Sequence, residues 1–380
     1  MLPLQFIVTY MLIGVDGNEA NVTEKVGVSV YTLKLLHYFQ KKSAEDLSFI
    51  IFLKTKPNQD MPQVHPQFNY QIVPGNFLWS QTFLPIELYK QKFLGNKIDV
   101  FFSPAHYTPR YSPAPLVVTI HDLSYFYYPD EFLKKDLYQL KNWTKYSAEK
   151  AKKIIAVSNT TKKDIVRFYQ TPEEKIEVVY NGYEKTSNIK HLASNSSIEK
   201  VEPYILYVGT IQPRKNIGTL IEAFAKFKTA HPELKLVIAG KKGWLYEETF
   251  IKVKKMNLEK HVRFLGFVDD PTLISLYKHA FCFVLPSFYE GFGIPVLEAM
   301  SYGCPVISSF TASLPEIAGD AALYIDPEKK EDIVDKLNQL LENKTLRNEL
   351  ITKGKERSRK FSWKTCGEKT LEVLIKTCRI

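Results

Sequence analysis

Cysteine is scarce in this sequence, with four residues among 380. Cys282, Cys304, Cys366 and Cys378 form no Cys-x-x-Cys pair, which is the usage of a chain kept reduced in the cytosol rather than of a disulfide-stabilised domain. The eight histidines are scattered, without a His-Glu-x-x-His motif or a Cys/His cluster. We therefore expect no structural disulfide, no bound metal and no cofactor.

Long apolar runs are also missing. No stretch reaches the 18 apolar residues that would cross a membrane, and residues 1–15 carry neither the basic segment nor the cleavage site of a signal peptide. Met1 and Met11 both remain possible starts. No Gly-x-Gly-x-x-Gly turn follows a strand, which excludes an NAD-linked oxidoreductase. We expect a cytoplasmic protein, and no feature favours one oligomeric state.

The charge that is present is basic and uneven. The net charge is +10, and residues 351–380 hold nine Lys or Arg against three Asp or Glu. Such a balance favours anionic partners. The basic end is interpreted either as a solvated helix or as a contact with an anionic membrane surface, at which the protein would be peripheral on the inner face.

Apolar strands alternate with helical stretches throughout the chain. Strands are predicted at 11–15, 48–53, 99–102, 116–120, 154–157, 176–179, 204–209, 234–240, 262–266, 281–286, 305–309 and 322–325. Helices are predicted near 27–42, 80–94, 130–152, 159–169, 216–230, 271–280, 295–302 and 330–342. This alternation indicates parallel sheets covered by helices on both faces.

A polar stretch at 183–202 divides the two series and is interpreted as a linker. The sequence thus predicts an α/β protein with two doubly wound, Rossmann-like parallel-sheet domains that face each other across a cleft. The boundaries are 1–182 for the N-terminal domain and 203–360 for the C-terminal domain. Residues 361–380 are expected to form a helix that packs back on the N-terminal domain.

Residues 287–303, SFYEGFGIPVLEAMSYG, follow a predicted strand directly. Gly291 and Gly293 let the backbone approach a ligand, and the following helix N-terminus makes a site for a diphosphate. Glu290 and Glu298 cannot serve phosphates, so we expect them to accept hydrogen bonds from the hydroxyls of a ribose or sugar. The alternative is a surface Glu290 and a Glu298 favoured only by the helix dipole.

Three further features lie at strand ends. Arg214 and Lys215 follow the strand 204–209 and are expected to neutralise a diphosphate leaving group. Gly27 precedes the first helix, where its amide would approach the diphosphate. His121 follows the strand 116–120, and both a structural and a functional role fit it. Asp122 either caps the next turn or orients His121.

Glu290 and Glu298, with GFGIPVL between them, resemble the Glu-x7-Glu signature of retaining glycosyltransferase family 4, a mannosyltransferase-like group 1 family with the GT-B fold. Five other segments are similar to the family in order and spacing: NEANVTEKVGVSVYT (18–32), VVTIHDLSYFYYP (117–129), YVGTIQPRKN (207–216), FLGFVDDPTLISLYKHA (264–280) and SSFTASLPEIAGDAALYIDP (308–327).

The resemblance implies transfer of a hexose, of mannose or glucose type, from a nucleotide diphosphate sugar to a hydroxyl, with retention of configuration and without a metal. It implies catalytic roles for His121, Glu290, Arg214 and Lys215. The donor site that it implies consists of Gly27, Arg214, Lys215, Gly266, Phe267, Val268, Glu290, Gly291, Phe292, Gly293, Ile294, Leu297 and Glu298. Guanine, uracil and adenine nucleotides fit equally.

The N-terminal half is rich in aromatic residues where its strands end. Flat faces for sugar rings or a lipid chain, and cations beside them, are offered by Trp79, Tyr107, Arg110, Tyr111, Tyr125, Phe126, Lys90 and Lys92. Of these, Trp79, Tyr107, Arg110 and Tyr125 are the expected acceptor residues. Together with the basic end, they favour a saccharide carried on a lipid, as in cell-envelope polysaccharide or glycolipid assembly, and a soluble small-molecule acceptor is the alternative.

Two other functions remain at this point. A nucleotide-sugar epimerase shares the GT-B fold. A non-enzymatic nucleic-acid-binding protein would explain the net charge of +10 and the aromatic residues, but no RNA-binding or DNA-binding motif is present, so we expect no nucleic-acid partner.

Overall fold

The computed structural model describes residues 10–25, 27–76, 78–183 and 203–378. Residues 1–9, which bear on the choice of start, and all of the predicted linker except Tyr183 lie outside the described residues. The chain forms two compact units. Of the described residues, the first unit contains 10–127, 132–182 and 362–378, and the second contains 128–131, 183 and 203–361.

Each unit contains one fully parallel sheet. The first sheet has the order β3-β2-β1-β4-β5-β6-β7, with β1 Met11–Asp16, β2 Leu47–Leu53, β3 Phe68–Ile72, β4 Val100–Ser103, β5 Leu116–Ile120, β6 Lys153–Ala156 and β7 Ile176–Val178. The second has the order β10-β9-β8-β11-β12-β13, with β8 Tyr204–Val208, β9 Lys235–Ala239, β10 Val262–Gly266, β11 Cys282–Leu285, β12 Val306–Ser309 and β13 Ala322–Ile325. The strand order reverses between β1 and β4 and between β8 and β11, where doubly wound sheets bind ligands beyond the carboxyl ends.

Helices of the described residues separate most of the successive strands, and three follow one another after β13. The helices are α1 Val28–Lys42, α2 Phe83–Phe93, α3 Ser124–Tyr127, α4 Lys134–Lys150, α5 Asn159–Tyr169, α6 Ile217–Lys228, α7 Glu247–Lys255, α8 Asp270–His279, α9 Ile294–Ser301, α10 Leu314–Ala318, α11 Lys330–Glu342, α12 Lys344–Ser358 and α13 Trp363–Cys378. Side-chain caps begin several of them: Ser158 Oγ accepts from Thr161 N before α5, Asp269 Oδ1 from Thr272 N before α8, and Asn343 Oδ1 from Leu346 N before α12.

The helix α13 belongs to the first unit, although the whole second unit precedes it in sequence. Gly367 lies so close to Tyr38 of α1 that an added Cβ would come within 2.4 Å of the tyrosine ring. The Trp363 ring packs edge-on to Tyr31 with centroids 6.3 Å apart, and Leu374 is fully buried. Close backbone approach and buried apolar side chains therefore hold α13 in the core of this unit.

The short segment Tyr128–Glu131 packs with the second unit, whereas the sequence prediction assigned it to the N-terminal domain. The Tyr128 ring stacks on Phe288 with centroids 5.8 Å apart, which explains this placement. Among the described residues, no helix has the length and apolar character needed to cross a membrane.

Candidate functional site

The candidate site of the second unit is built from two loops at the switch point of its sheet. One loop follows β8 and carries Arg214 and Lys215, and the other follows β11 and leads to α9. Asn216 ties the first loop to its neighbours, because its Nδ2 donates to the carbonyl oxygens of Pro286 at 3.1 Å and of Pro327 at 2.6 Å. Its backbone is left-handed, with φ 55°, a conformation that asparagine tolerates better than most residues.

Glu290 lies between the two cations. Its Oε1 accepts from Lys215 Nζ at 2.5 Å and from Ser287 Oγ at 2.7 Å, and its Oε2 is 3.7 Å from Arg214 Nη1. Arg214 Nη1 also donates to the Tyr289 carbonyl. Glu290 and Arg214 are each only 8% exposed, so the ions of this trio are little screened by water.

The charges of the trio decide its protonation. Burial alone would raise the pKa of Glu290, but the charges of Lys215 and Arg214, with hydrogen bonds from Lys215 and Ser287, outweigh burial and lower the pKa. The trio therefore holds two cations and one anion, a net charge of +1. Both carboxylate oxygens of Glu290 face these partners, so Glu290 holds the two cations in place, and its catalytic and donor-binding roles stay predictions.

The helix α9 begins directly after this loop. Gly293 precedes it with φ 102°, and a Cβ there would come within 2.8 Å of Leu314 Cδ2, so glycine is required for both conformation and space. Ser313 Oγ donates to the carbonyls of Glu290 at 2.7 Å and Phe292 at 3.0 Å, which fixes the loop. The positive end of the α9 dipole thus begins at Ile294, four residues after Glu290 of the trio.

Glu298 lies in the second turn of α9 and has a different environment from Glu290. Its Oε2 accepts from Tyr277 OH at 3.0 Å. Burial raises the pKa of Glu298 to about 7; the Tyr277 hydrogen bond acts against this rise, and the Asp270 charge adds to it. The carboxyl group is therefore close to the point where it changes charge under physiological conditions.

The other predicted donor residues divide into surface and core. Gly266 ends β10 with φ 67°, and the Phe267 ring beside it is 51% exposed, as a stacking platform requires. Gly291 is buried, whereas Val268 and Ile294 are half-buried. Leu297 is fully buried and Phe292 packs edge-on to Phe361 at 5.8 Å. Both side chains are therefore part of the packing, and the donor-binding role of Leu297 and Phe292 stays a prediction.

In the first unit, His121 follows β5 and is held by its neighbours. Its Nε2 lies 2.7 Å from the Pro104 carbonyl oxygen, which can only accept, so Nε2 carries the proton. Burial, with the charge of His106, lowers the pKa of His121 to about 3, and the ring is neutral at physiological pH. Asp122 caps the next turn, because its Oδ1 accepts from Ser124 N at 3.1 Å and Oγ at 2.8 Å.

Gly27 precedes α1 with φ 48°, and an added Cβ would meet no atom within 4 Å. Backbone conformation rather than crowding therefore requires glycine here, and the space beside its backbone is open.

A cavity of about 330 Å³ opens in the first unit beyond the carboxyl ends of β1 to β4. Its wall includes charged side chains from the β1 and β2 loops and aromatic rings from the β3 loop, the β4 loop and α4, namely Asp16, Glu19, Lys54, Trp79, Tyr107 and Trp143. Burial raises the pKa of Asp16, with two hydrogen bonds from Asn18 acting against the rise. Carboxylates beside aromatic rings are suited to binding polyhydroxylated rings.

Two of the four predicted acceptor residues line this cavity. Trp79 is 2% exposed, with its Nε1 donating to the Val73 carbonyl at 2.7 Å, and the Tyr107 ring packs edge-on to Trp143 at 5.5 Å. Tyr125 is 1% exposed and its hydroxyl pairs with that of Tyr169 at 2.8 Å. The Tyr125 ring therefore belongs to the core, and its contact with an acceptor stays a prediction.

Arg110 is engaged within the fold. Its Nε donates to Gln81 Oε1 at 3.0 Å and its guanidinium lies 5.1 Å from the centre of the Tyr146 ring. Phe126 stacks on Phe168 at 4.3 Å. These contacts hold both side chains in place, whereas Tyr111, Lys90 and Lys92 are exposed.

Sequence reasoning missed Ser287, Tyr277 and His106. Ser287 stands three residues before Glu290 in the same loop, which was the available signal, and Tyr277 lies within the segment 264–280 without a distinguishing pattern. His106 follows β4 with φ 40°, and its ring lies 5.6 Å from that of His121. Only the fold brings His106 and His121 together.

Comparisons with known proteins agree on one family. The family model for Glycosyltransferase Family 4 matches residues 26–186, and the model for Glycosyl transferases group 1 matches residues 188–357. O-antigen chain mannosyltransferase B from Escherichia coli is 33% identical over 283 residues, which cover 72% of this chain and 73% of that protein. Of two further curated relatives, the chain spans 56% and 59% of their lengths.

Solved structures share the fold at low identity. Sucrose-phosphate synthase from Thermosynechococcus elongatus matches with a TM-score of 0.74 and 20% identity, covering 96% of this chain and 98% of that one. Anabaena HepE in complex with UDP and glucose matches with a TM-score of 0.72 and 17% identity, covering 96% and 99%. These likenesses confirm the GT-B fold, and the family matches decide against the epimerase and nucleic-acid alternatives. The chain belongs to glycosyltransferase family 4 and is a glycosyltransferase of the GT-B fold.

Proposed function

We propose that this glycosyltransferase transfers a hexose, of mannose or glucose type, from a nucleotide diphosphate sugar to a hydroxyl of a saccharide or lipid-linked saccharide, with retention of configuration. Its product belongs to cell-envelope polysaccharide or glycolipid assembly, at the cytoplasmic face of an anionic membrane. The observation that carries the proposal is the trio of Arg214, Lys215 and Glu290 before α9. The name of the Escherichia coli relative and the UDP bound to HepE support it.

The trio would act on the leaving group. When the bond between the anomeric carbon and the phosphate oxygen breaks, negative charge grows on the departing diphosphate. Lys215 and Arg214, pre-oriented by Glu290 and the Tyr289 carbonyl, meet this charge together with the positive end of α9. The departing oxygen then takes the proton of the acceptor hydroxyl on the same face of the sugar. Because the chain supplies these cations, we propose that the transfer needs no metal, and activity should survive EDTA.

Glu298 and His121 would bind hydroxyls. The ionised Glu298 carboxylate accepts from the ribose diol, while Tyr277 holds one of its oxygens. His121 stays neutral and donates from Nε2 to Pro104, which leaves Nδ1 as the acceptor for a sugar hydroxyl. The exposed Phe267 ring is assigned to the nucleotide base.

The acceptor is assigned to the cavity of the first unit. Its volume of about 330 Å³ lies within the range of small-ligand pockets. Asp16 and Glu19 would accept hydrogen bonds from saccharide hydroxyls, and the Tyr107 and Trp143 rings would pack against the apolar face of the sugar. A free saccharide and one carried on a lipid present the same hydroxyls to these groups.

The test uses UDP-glucose and GDP-mannose as probes. Thermal shift identifies the donor, because a ligand that binds the folded state stabilises it. With that donor, Lys215→Ala and Arg214→Ala should each lower kcat/KM by roughly 30-fold to 1000-fold, the effect of losing one electrostatic donor of about 2–4 kcal/mol. Lys260→Ala is the control, because Lys260 is exposed at the opposite, amino end of β10. Near-normal transfer by the double variant would refute the proposal, and NMR of the product checks retention.

A further inference from the structure

The helix α2 has an apolar face that the described part of the chain leaves uncovered. Ile86 is 68% exposed and Phe93 is 85% exposed. They are seven positions apart, about two helical turns, and therefore lie on the same side of the helix. Phe83, Tyr89 and Leu94 extend this side and are 41%, 39% and 65% exposed. Five large apolar residues within twelve positions form a contiguous patch rather than the scattered exposure that is normal for surfaces.

The opposite side of α2 is well packed. Leu84 and Leu88 are buried to 0% and 1% exposure in the core cluster of the first unit. The packing of Leu84 and Leu88 therefore fixes the orientation of the helix. The outward side is not the side that packs in the core.

The charges around this side have one sign. Between residues 83 and 97, Lys90, Lys92 and Lys97 are exposed. Glu87 is the only acidic residue in this range. It is 8% exposed and accepts from Gln91 Nε2 at 2.6 Å, with its other oxygen 3.6 Å from Lys90 Nζ. Every exposed charged side chain in this range is thus a cation, which complements a surface of phosphate groups.

The loop that contacts the residue before α2 also carries an exposed aromatic ring. Gln81, just before α2, accepts from Arg110 Nε at 3.0 Å and donates to the Thr108 carbonyl at 3.2 Å. Tyr111, which follows Arg110 in the sequence, is 76% exposed with φ 54°. Tyrosine, with an apolar ring and a polar tip, is suited to the boundary between lipid and water.

We propose that this face docks on an anionic lipid bilayer, with Ile86, Phe93 and Leu94 entering the headgroup boundary and the three lysines contacting lipid phosphates. At 1.5 Å per residue, the 11 residues of α2 span about 16 Å, so the helix lies along the surface rather than crossing it. The inference rests on the proposed lipid-linked acceptor, because docking would hold the first unit at the plane where that acceptor is anchored.

The basic end at 351–380 is less suited to this role than its charge suggested. Arg357 donates through Nε to the Ile317 carbonyl at 2.8 Å and through Nη2 to the Glu316 carbonyl at 2.5 Å. Lys353 lies 3.4 Å from Asp320. Part of that charge therefore serves the second unit's own packing, whereas the α2 lysines stand beside exposed apolar side chains.

The experiment is sedimentation of the full chain with phosphatidylcholine vesicles prepared with and without phosphatidylglycerol. The wild type should sediment with the anionic vesicles and remain in the supernatant with the neutral ones. Lys90→Glu with Lys92→Glu should lower binding at low salt by about tenfold or more, through loss of attraction to anionic lipid. Ile86→Gln with Phe93→Gln should lower vesicle binding at high salt by a similar factor, because salt screens the lysines and leaves only the apolar contribution.

Matched controls come from α7 of the second unit. Ile251 is 50% exposed there, and Lys254 and Lys255 are exposed. Ile251→Gln removes one exposed apolar side chain, and Lys254→Glu with Lys255→Glu reverses two exposed charges; both should leave vesicle binding unchanged. Equal losses in the α7 and α2 variants, or a wild type that stays in the supernatant with anionic vesicles at low salt, would overturn the proposal.

Two measurements separate this inference from its alternatives. The α2 variants should keep normal transfer to a water-soluble saccharide, so loss of docking and failure of the proposed transfer are distinguishable. Sedimentation velocity should give the same oligomeric state for wild type and for the Ile86→Gln, Phe93→Gln variant. If that variant instead dissociates a dimer while its vesicle binding persists, the face binds a second copy and the lipid assignment is wrong.

Discussion

At the scale of single residues, two carboxyl groups eight positions apart have opposite electrostatic environments. Glu290 is paired with Lys215 and Arg214, which lower its pKa in spite of burial. Glu298 has no cation among the groups that act on it, so burial raises its pKa to about 7. The same side-chain type thereby gives one group that is ionised at neutral pH and one group that titrates near neutrality.

This difference predicts a pH dependence of donor binding. Hydroxyl donors favour the ionised Glu298, so affinity for the nucleotide sugar should rise as pH increases from about 6 to about 8. In the free protein, the stability that protonated Glu298 contributes is full below its ordinary value of 4.5 and is lost as pH rises through about 7. Isothermal titration of the intact nucleotide sugar checks the first effect, since its phosphodiesters do not titrate in this range.

The matched variant is Glu298→Gln, which keeps the shape of the side chain and removes its titration. It should bind the donor more weakly than the wild type at pH 8 and show little change between the two pH values. A slope equal to that of the wild type would assign the titration to another group.

The sequence predicts the residue types of the site better than their contacts. Glu290, Arg214 and Lys215 were identified from their positions after strands, and the structure brings them within hydrogen-bond or ion-pair distance. Their mutual pairing could not be predicted, because 75 residues separate Lys215 from Glu290 and the distance depends on the alignment of β8 with β11.

At the scale of elements, α9 has a glycine with positive φ at each end. Gly293 precedes the helix with φ 102°, and Gly303 follows it with φ 78°. A Cβ at Gly293 would meet Leu314 at 2.8 Å, and one at Gly303 would meet the flexible Lys355 side chain at 2.9 Å. Both positions resist substitution, but only the first adjoins the candidate donor site.

Gly293→Ala and Gly303→Ala should therefore separate stability from binding. Each should lower the free energy of unfolding in urea by about 1–3 kcal/mol, the cost of a strained backbone conformation. Only Gly293→Ala should also weaken binding of the nucleotide sugar, by about tenfold, because the substitution displaces the positive end of the helix. Equal affinities in the two variants would show that this end of α9 does not contact the donor.

Elements with continuous apolar runs were predicted to within about two residues, as with β5 and β13, but others were missed. The strand β3 carries Asn69 and Gln71 at the sheet edge, so it has no apolar run to detect. The stretch predicted as one helix at 80–94 is a short 3-10 turn followed by α2. Its composition identifies aromatic residues, but only the packing of Leu84 and Leu88 determines which of them face outward.

At the scale of the whole molecule, α13 makes the first unit discontinuous in sequence. Trp363 is 9% exposed and packs against Tyr31 of α1. Trp363→Ala should lower the stability of the first unit by about 3–5 kcal/mol, the usual cost of emptying such a site. In calorimetry this should shift the transition of that unit alone, although the residue follows the second unit in sequence.

The two transitions can be identified by ligand, because a nucleotide sugar bound to the second unit should raise the melting temperature of that unit. Trp244→Ala is the control, since Trp244 is 37% exposed in the second unit and its loss should shift neither transition strongly. A Trp363→Ala variant that lowered the second unit's transition as well would mean that the two units unfold as one.

Because α13 packs on α1 and β4, the two units complete their folding in a fixed order during translation. When the ribosome has made residues 10–182, the first sheet is complete, but the surface beside Tyr31 and Tyr38 that α13 covers is bare. It remains so while residues 203–361 are synthesised, and these can close their own core as soon as they emerge. The domain that is made first is therefore finished last, and the nascent chain carries an open apolar surface, accessible to chaperones, while about half of its residues are synthesised.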